Sequence, residues 1–218
     1  MTKIFNKDEG FTGLEAAIVL IAFVVVAAVF SYVVLGAGFF TTQKAQQVIY
    51  TSVDQASSSV EIMGDVYGIN FSTSPQSYKY IRFTVGLTSG GSPVDFSQTT
   101  MAFSSQKYDG VEYLKNVYLS PDNKVPYTDP EDLTQSNIEN AVGTTGDGKW
   151  GVLLINNGVE GANDLLLENQ EQFVIYARPS HGVEANEKFN LEISPAVGTS
   201  YVVARKAPAR IAKVDALY

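Results

Sequence analysis

The sequence predicts an α+β protein, in which a long N-terminal hydrophobic α-helix is followed by an Ig-like antiparallel β-sandwich domain. Three observations lead to this fold class. No charged residue occurs between Glu15 and Lys44, and no proline occurs before Pro75. From Tyr78 onwards the apolar residues recur at every second position instead of every third or fourth, which is the change from a helical to a strand period.

The helix is predicted to cover residues 11–63 and to change in character along its length. From Ala16 to Phe40 apolar residues lie on every side of it, so its whole circumference must be buried in lipid or in protein. This stretch exceeds the roughly 20 apolar residues that span a bilayer. After Lys44 the apolar residues narrow to a single stripe: Ala45, Ile49, Val53, Ala56, Val60 and Met63. We therefore predict a helix that begins in a membrane and ends packed among copies of itself.

The first ten residues, MTKIFNKDEG, are polar, and Gly10–Phe11 has the pattern of a processing site, with Glu15 as the fifth residue of the product. The stretch FTGLEAAIVLIAFVVVAAVFSYVVLGAGFFTTQKAQ resembles the processed N-terminus of an archaeal flagellin (archaellin), within the type IV pilin-like superfamily. This resemblance implies that residues 1–10 are a prepilin-type (class III) signal peptide, and that a prepilin-type peptidase cuts after Gly10. Asp8 and Glu9 depart from the pattern, since such sites often carry basic residues there.

Glu15 is the only charged residue in the apolar half of the helix. A carboxylate in hydrocarbon or in a dry core is costly unless it is paired. Cleavage after Gly10 would create an α-amino group on Phe11, about one helical turn from Glu15. The positive end of the helix dipole would lie there as well. Glu15 is therefore expected to act in processing or assembly, and the alternative is an acid at the wet membrane surface.

Residues 64–78 are rich in turn formers and are predicted to be a linker between the helix and the outer domain. They contain the N-x-S/T sequon that begins at Asn70. An accessible linker on an exterior protein favours glycosylation, so Asn70 is a candidate glycan site.

Residues 79–218 are predicted to form the outer β-sandwich domain. Two stretches alternate clearly between apolar and polar residues, one around Phe83 and one around Leu191. Further strands are predicted at Thr99–Ser104, Val111–Leu119, Trp150–Asn156, Gln172–Arg178, Thr199–Arg205 and Arg210–Val214. Residues 127–147 are predicted to be a long surface loop with one short helical turn. The segment from Leu165 to Ile211 also resembles the C-terminal part of archaellins.

The composition narrows the function classes. The chain has 15 basic and 23 acidic residues, a net charge of −8, and this acidic balance argues against nucleic-acid binding. It has no cysteine, which excludes disulfides and thiolate metal sites.

No catalytic or ligand-binding pattern is complete. Residues 143–149 match a phosphate-binding glycine loop, but Trp150 replaces the required Ser or Thr, and a strand is predicted to follow instead of a helix. His181 lies in a predicted turn without a matching partner. Three nearby acids lack the ligand spacing of a calcium loop: Asp129, Glu131 and Asp132. We therefore expect no enzyme activity, cofactor or metal.

The resemblance implies the structural subunit of an archaeal flagellum (archaellum), a helical filament that the cell rotates for swimming. The expected partners are copies of the chain or paralogous subunits, the prepilin-type peptidase, a membrane platform protein, an ATPase motor, and the cytoplasmic membrane before assembly. The expected location is extracellular. Two alternatives stay open: a subunit of a non-rotating adhesion pilus, and a membrane-anchored exterior binding domain that never polymerises.

Overall fold

The structure, a computed structural model, describes residues 7–72, 76–117, 134–143, 148–158 and 164–218. For Lys7–Thr12 and Asp54 only the backbone is described. The chain divides into two compact units, Met1–Ser52 and Val53–Tyr218. The described part of the first unit is helix, and the second unit contains the β-structure.

The described elements are the following, in chain order: α1 Lys7–Ser57, β1 Val60–Ile62, β2 Val66–Ile69, β3 Ser77–Tyr78, β4 Tyr80–Leu87, β5 Val94–Asp95, a 3-10 turn Phe96–Gln98, β6 Thr100–Ser105, β7 Glu112–Asn116, α2 Gln135–Val142, β8 Lys149–Asn156, β9 Leu166–Leu167, β10 Gln172–Arg178, β11 Val183–Glu184, β12 Lys188–Ser194, β13 Tyr201–Lys206 and β14 Val214–Leu217.

The predicted long helix is present as α1, but both of its predicted ends are wrong. The helix already includes Lys7 and runs through Gly10 and Phe11 without a break. It ends at Ser57 and not at Met63. Ser57 begins a run of three serines, whose hydroxyls compete for backbone hydrogen bonds and so disfavour a helix interior.

The residues after the helix belong to the β-structure. Val60, which we had assigned to the helix stripe, is 3% exposed and lies in β1, which pairs with β4 in antiparallel register. The hydroxyls of Ser59 and Thr88 are hydrogen-bonded at 3.1 Å, and the Ser59 carbonyl accepts the backbone N–H of Thr88. The carbonyl of Ser58 accepts the N–H of Thr199 at 3.2 Å. The sandwich therefore starts about 20 residues earlier than the predicted residue 79.

Two layers form the sandwich. One layer has the strand order β8-β10-β4-β2-β14, with β1 also on β4, and the other has the order β13-β12-β6-β7. Every pair within the layers is antiparallel, and the parallel pair β7·β8 joins the two layers into one ten-stranded sheet. The predicted fold class, a long apolar helix followed by an antiparallel β-sandwich, is confirmed.

The main core lies between the layers and takes apolar side chains from both, for example Phe83 and Phe173 from one and Phe103 and Phe189 from the other. A second, smaller core lies between α2 and the other face of the first layer. Strand β10 contributes to both cores, because Phe173 and Ile175 belong to the first and Val174 and Tyr176 to the second. This explains why β10 is buried from Phe173 to Arg178, while β12 alternates.

The predicted linker, residues 64–78, is wrong, because it contains β2 and β3. Gly68, a glycine of this turn-rich stretch, lies within β2, where a Cβ atom would come within 2.6 Å of the Tyr78 ring. The Tyr78 hydroxyl donates to Asp215 in β14, so this glycine permits a close approach that fastens the last strand. That last strand runs from Val214 to Leu217, beyond the predicted Arg210–Val214.

The other predicted strands are confirmed to within two residues at each end, except that β7 ends at Asn116, three residues before the predicted Leu119. The predicted helical turn in residues 127–147 is α2, which has eight residues. Thr134 caps it by accepting the N–H of Asn137 at 3.3 Å. The rest of the predicted loop, residues 127–133 and 144–147, lies outside the described residues.

Candidate assembly surface

Helix α1 presents a continuous apolar surface that its own chain does not cover. Every described large apolar side chain from Leu14 to Phe40 is at least 54% exposed. The stretch Gly13–Ser57 has a mean hydropathy of 3.0 in its most apolar window, and none of that window is buried. By length and composition the helix is able to cross a membrane. Exposed apolar area of this extent marks a surface that is covered by lipid or by protein.

Several polar side chains of α1 are hydrogen-bonded within the helix. The hydroxyls of Thr41 and Thr42 donate to the carbonyls four residues earlier, at 2.8 and 2.9 Å. Thr51 does the same to Gln47 at 3.0 Å, and the ammonium group of Lys44 donates to the Gln47 side chain at 3.0 Å. The threonine hydroxyls therefore do not depend on water, whereas the charged ammonium group of Lys44 has two further N–H donors and favours a wet or paired environment.

Tyr32 is different from these residues. Its side chain is 79% exposed in the middle of the apolar stretch, and no side-chain hydrogen bond of it is found within the described part of the chain. A phenol buried in lipid or protein usually finds an acceptor. Where this surface is covered, the acceptor for Tyr32 would come from the lipid or protein that covers it.

The predicted processing residues all lie on α1. Gly10 and Phe11 are consecutive helical residues, and Glu15 follows Phe11 by about one turn with an exposed side chain. Gly10 weakens the helix at this point by about 1 kcal/mol relative to alanine.

Asn70 is not in an accessible linker. Its residue is 3% exposed, its Nδ2 donates to the carbonyl of Ser77, and its Oδ1 accepts the N–H of Ser72 at 2.8 Å. The Asn70 side chain thus closes the turn after β2. The expectation of an exposed side chain was wrong, because Asn in a turn-rich stretch often bonds to its own backbone.

A cavity of about 240 Å³ lies beside β6 and β7, and no sequence pattern predicted it. Tyr108, Glu112, Ser180 and His181 help to line it. The Tyr108 and His181 rings stack with centroids 4.1 Å apart, and the Ser180 hydroxyl lies 3.1 Å from His181 Nδ1. The carboxylate of Glu112 accepts the backbone N–H of Ser180 and not an imidazole N–H. These groups therefore do not form a nucleophile, base and orienting acid in series.

Other chemistry is not indicated in the described part of the chain. No group of three or more His, Asp or Glu residues there is arranged to hold a metal ion. The acidic group Asp129, Glu131 and Asp132 lies outside the described residues. Strand β8 begins at Lys149, so a strand and not a helix follows the glycine-rich residues, which is the prediction on which the phosphate-loop pattern was rejected.

Three tyrosines of the sandwich have raised pKa values, and their burial explains the shifts. Burial raises the pKa of the Tyr78 hydroxyl, and its hydrogen bond to Asp215 raises that pKa further. Burial likewise raises the pKa values of Tyr80 and Tyr176. All three tyrosines stay protonated in the folded sandwich at neutral pH, as packing and hydrogen-bonding groups.

Comparison with known proteins gives consistent matches. Residues 10–205 match the family model of archaeal-type flagellin. The chain is 36% identical over 214 residues to probable flagellin 1 of Archaeoglobus fulgidus, covering 96% of this chain and 95% of the relative. It is also 91% identical over 32 residues to the 24 kDa flagellin of Methanospirillum hungatei, which covers 15% of this chain and all of that sequence.

Solved structures agree with these sequence matches. A chain of the archaeal flagellum of Methanospirillum hungatei superimposes with a TM-score of 0.64 at 29% identity, over 94% of this chain and 98% of that one. The flagellin FlaB1 of Methanocaldococcus jannaschii superimposes with a TM-score of 0.57 at 11% identity, over 72% of this chain and 95% of that one. The second match speaks for the fold alone.

Proposed function

Because this chain belongs to the archaeal-type flagellin family and is a structural subunit of the archaeal flagellum filament, we propose that α1 is the element through which it polymerises. The α1 helices of successive copies would pack together as the filament core, with the β-sandwiches outside. The observation that carries this proposal is the apolar surface of α1 from Leu14 to Phe40, which the chain itself leaves uncovered.

The energetics support assembly directly from a membrane. Exposing the apolar side chains of α1 to water would cost roughly 1.5–3 kcal/mol each, so a free monomer with α1 in water is strongly disfavoured. Transfer from lipid into a bundle of helices exchanges one dry environment for another, so the hydrophobic contribution nearly cancels. Packing must then favour the bundle. Small residues such as Gly36 and Gly38, which have open space around them in the single chain, allow close helix approach.

Processing is proposed to precede assembly. A prepilin-type peptidase would cut between Gly10 and Phe11 and remove residues 1–10. The new α-amino group on Phe11 would lie about one turn from Glu15 and would balance its charge in the dry core. The other proposed partners are the cytoplasmic membrane, which would hold α1 before assembly, a platform protein and an ATPase motor. The motor would supply energy for this step, because the transfer of α1 from the bilayer into the helix bundle yields little hydrophobic free energy.

A glycan on Asn70 is also proposed, on the condition that the Asn70 amide is accessible when it is modified. The Asn70 amide is engaged with Ser77 and buried in the folded sandwich. Modification would therefore have to occur before β2 and β3 fold, or on a locally opened turn. Mass spectrometry of filament peptides tests this directly, and unmodified Asn70 in every peptide would end the proposal.

Native filaments test the processing step most directly. N-terminal sequencing is expected to start at Phe11. Replacing Gly10 by Leu should leave full-length precursor in the membrane, while the matched control Gly13→Ala should still be cut, since Gly13 has open space around it and follows the site. Filaments whose subunits still carry Met1 or Thr2, or normal cleavage of Gly10→Leu, would contradict the proposed site.

A further inference from the structure

The turn that follows β8 contains Asn157 and Gly158, the one place in the sequence where an asparagine precedes a glycine. The backbone nitrogen of the next residue can attack an asparagine side-chain amide when no side chain shields that nitrogen, and glycine leaves it open because it has no Cβ atom. The attack closes a succinimide ring and releases ammonia. The pair therefore carries the groups of a modification that needs no enzyme.

The folded chain keeps both reacting groups accessible. Asn157 is exposed and has a φ of 59°, in the left-handed region that residues other than glycine rarely adopt. Its Nδ2 donates at 3.4 Å, a long distance, to the carbonyl of Gln170, which itself has a φ of 72°. Within the described residues no hydrogen bond of the Gly158 N–H is found. Strong bonds therefore hold back neither the amide nor the attacking nitrogen.

A carboxylate lies beside this pair. Oε1 of Glu171 is 3.4 Å from the position that a Cβ atom of residue 158 would take, one bond from the Gly158 Cα. The other oxygen, Oε2, accepts the N–H of Glu168 at 3.0 Å, which holds the carboxylate in place. A base that reaches an attacking group directly or through one water can take its proton. Glu171 is thus placed to accept the proton of the Gly158 N–H.

We propose that Asn157 is a site of spontaneous deamidation, with Glu171 as the proton acceptor. The Gly158 nitrogen forms a bond to Cγ of Asn157, and its proton passes to Glu171. The bond between Cγ and Nδ2 then breaks, and Nδ2 leaves as ammonia with the proton that Glu171 returns. Water opens the succinimide at either carbonyl and leaves aspartate or isoaspartate. One water is consumed and one ammonia is released, without oxidation or reduction.

The modification changes the turn chemically. The new carboxylate adds a negative charge to a chain of net charge −8, close to Glu171. It has no N–H to donate, so its contact with the Gln170 carbonyl becomes repulsive. Because the reaction needs only water, modified subunits should accumulate with the age of the filament. This inference concerns the sandwich alone and does not depend on how α1 polymerises.

Ageing of native filaments in heavy-oxygen water, followed by digestion in ordinary water and peptide mass spectrometry, tests the proposal. Asn157 should lose its amide and gain heavy oxygen, and isoaspartate should appear beside aspartate. The chain supplies a matched control, because Asn186 is likewise exposed with a φ of 63° but precedes Glu187. Asn186 should keep its amide. Equal conversion of both residues would overturn the proposal. So would an intact Asn157 after a free peptide of the same turn has reacted.

The variant Glu171→Gln tests the proton acceptor. It keeps an oxygen for the Glu168 N–H and removes the base. Loss of the Asn157 amide should therefore slow by about 100-fold in folded filaments, the low end of the range for a positioned general base. In urea, where Glu171 no longer lies beside Gly158, the variant should react as fast as the unaltered chain. Equal rates in folded filaments would refute the role of Glu171.

The variant Gly158→Ala tests the attacking nitrogen. Its methyl group would shield that nitrogen and would meet the end of the Ile155 side chain, which has room to rotate only if its neighbours give way. The loss of the Asn157 amide should slow both in folded filaments and in urea, and the result in urea does not depend on whether this variant folds. An unchanged rate in urea would refute attack by the Gly158 nitrogen.

Discussion

The residue at which the sandwich starts determines which fragments of this protein should be stable. A fragment that starts at Gly64, the first residue of the predicted linker, should be much less stable than one that starts at Val53, where the second compact unit begins. The difference lies in β1 and the residue after it. Val60 is 3% exposed, Ile62 packs against the main core, and the Met63 side chain lies against Gly86.

The size of the effect follows from these contacts. Burial of an apolar side chain of this size contributes about 1.5–3 kcal/mol when complete, and Ile62 and Met63 are only partly buried. Loss of all three contacts, with the backbone pairing of β1 to β4, should cost about 3–6 kcal/mol. Single domains have unfolding free energies of about 5–15 kcal/mol, so the shorter fragment should be marginal or unfolded.

Urea unfolding followed by circular dichroism measures this difference. Fragment 53–218 should unfold cooperatively as a soluble monomer and should neither form nor join filaments. Fragment 64–218 should unfold at a clearly lower urea concentration. Equal midpoints would show that β1 does not belong to the cooperative unit. Filaments formed from fragment 53–218 alone would refute the role assigned to α1.

Three further predictions concern single residues of the sandwich, each measured as the free energy of unfolding of fragment 53–218. Gly68→Ala places a methyl group against the Tyr78 ring and should destabilise by about 1–3 kcal/mol; an unchanged midpoint would show that the ring can move aside. Tyr78→Phe removes the bond to Asp215 and should cost about 1.5–3 kcal/mol at neutral pH. Because folding raises the pKa of Tyr78, this stabilisation is present below about pH 10 and is lost as the pH rises above it. The unfolding free energies of the unaltered fragment and of Tyr78→Phe should therefore converge in strong base. A difference that stays constant with pH would contradict the assignment of this stabilisation to the Tyr78 hydroxyl. Asn70→Ala leaves the Ser77 carbonyl and the N–H of Ser72 without their partner and should cost about 1–2 kcal/mol, whereas a neutral effect would indicate that water replaces the amide.

The features set by local pattern were predictable from the sequence. A charge-free stretch without proline forces a helix that must be covered, and alternation around Phe83 and Leu191 forces strands with one inward face. Strand β10 was found although it does not alternate, because a short apolar run between turn signals fits a strand that is buried on both faces.

The features set by distant contacts were not predictable in this way. The helix ends where it does because Val60 pairs with β4. The spacing of Val60 and Met63 continues the apolar stripe of the helix only by coincidence. Gly68 resembles a turn former until the Tyr78 ring is placed beside it. Asn70 has the sequon of an exposed glycan site, and only the folded turn shows its amide to be engaged. The closeness of Glu171 to Gly158 depends on the pairing of β8 with β10, which the sequence does not specify.

The central position of β10 has a consequence for how the outer domain opens. This strand is hydrogen-bonded to β8 on one side and to β4 on the other, and side chains cover both of its faces. Its amide protons can reach water only when the two neighbouring strands separate, so they should exchange with deuterium last. β13 and β14 end the strand order of the sheet, and among the described residues their backbones meet at Lys206 and Tyr218, so the rest of their outer edges should exchange first. A filament in flowing water could therefore yield repeatedly at these margins and recover its shape, because the strand that holds the fold together stays closed.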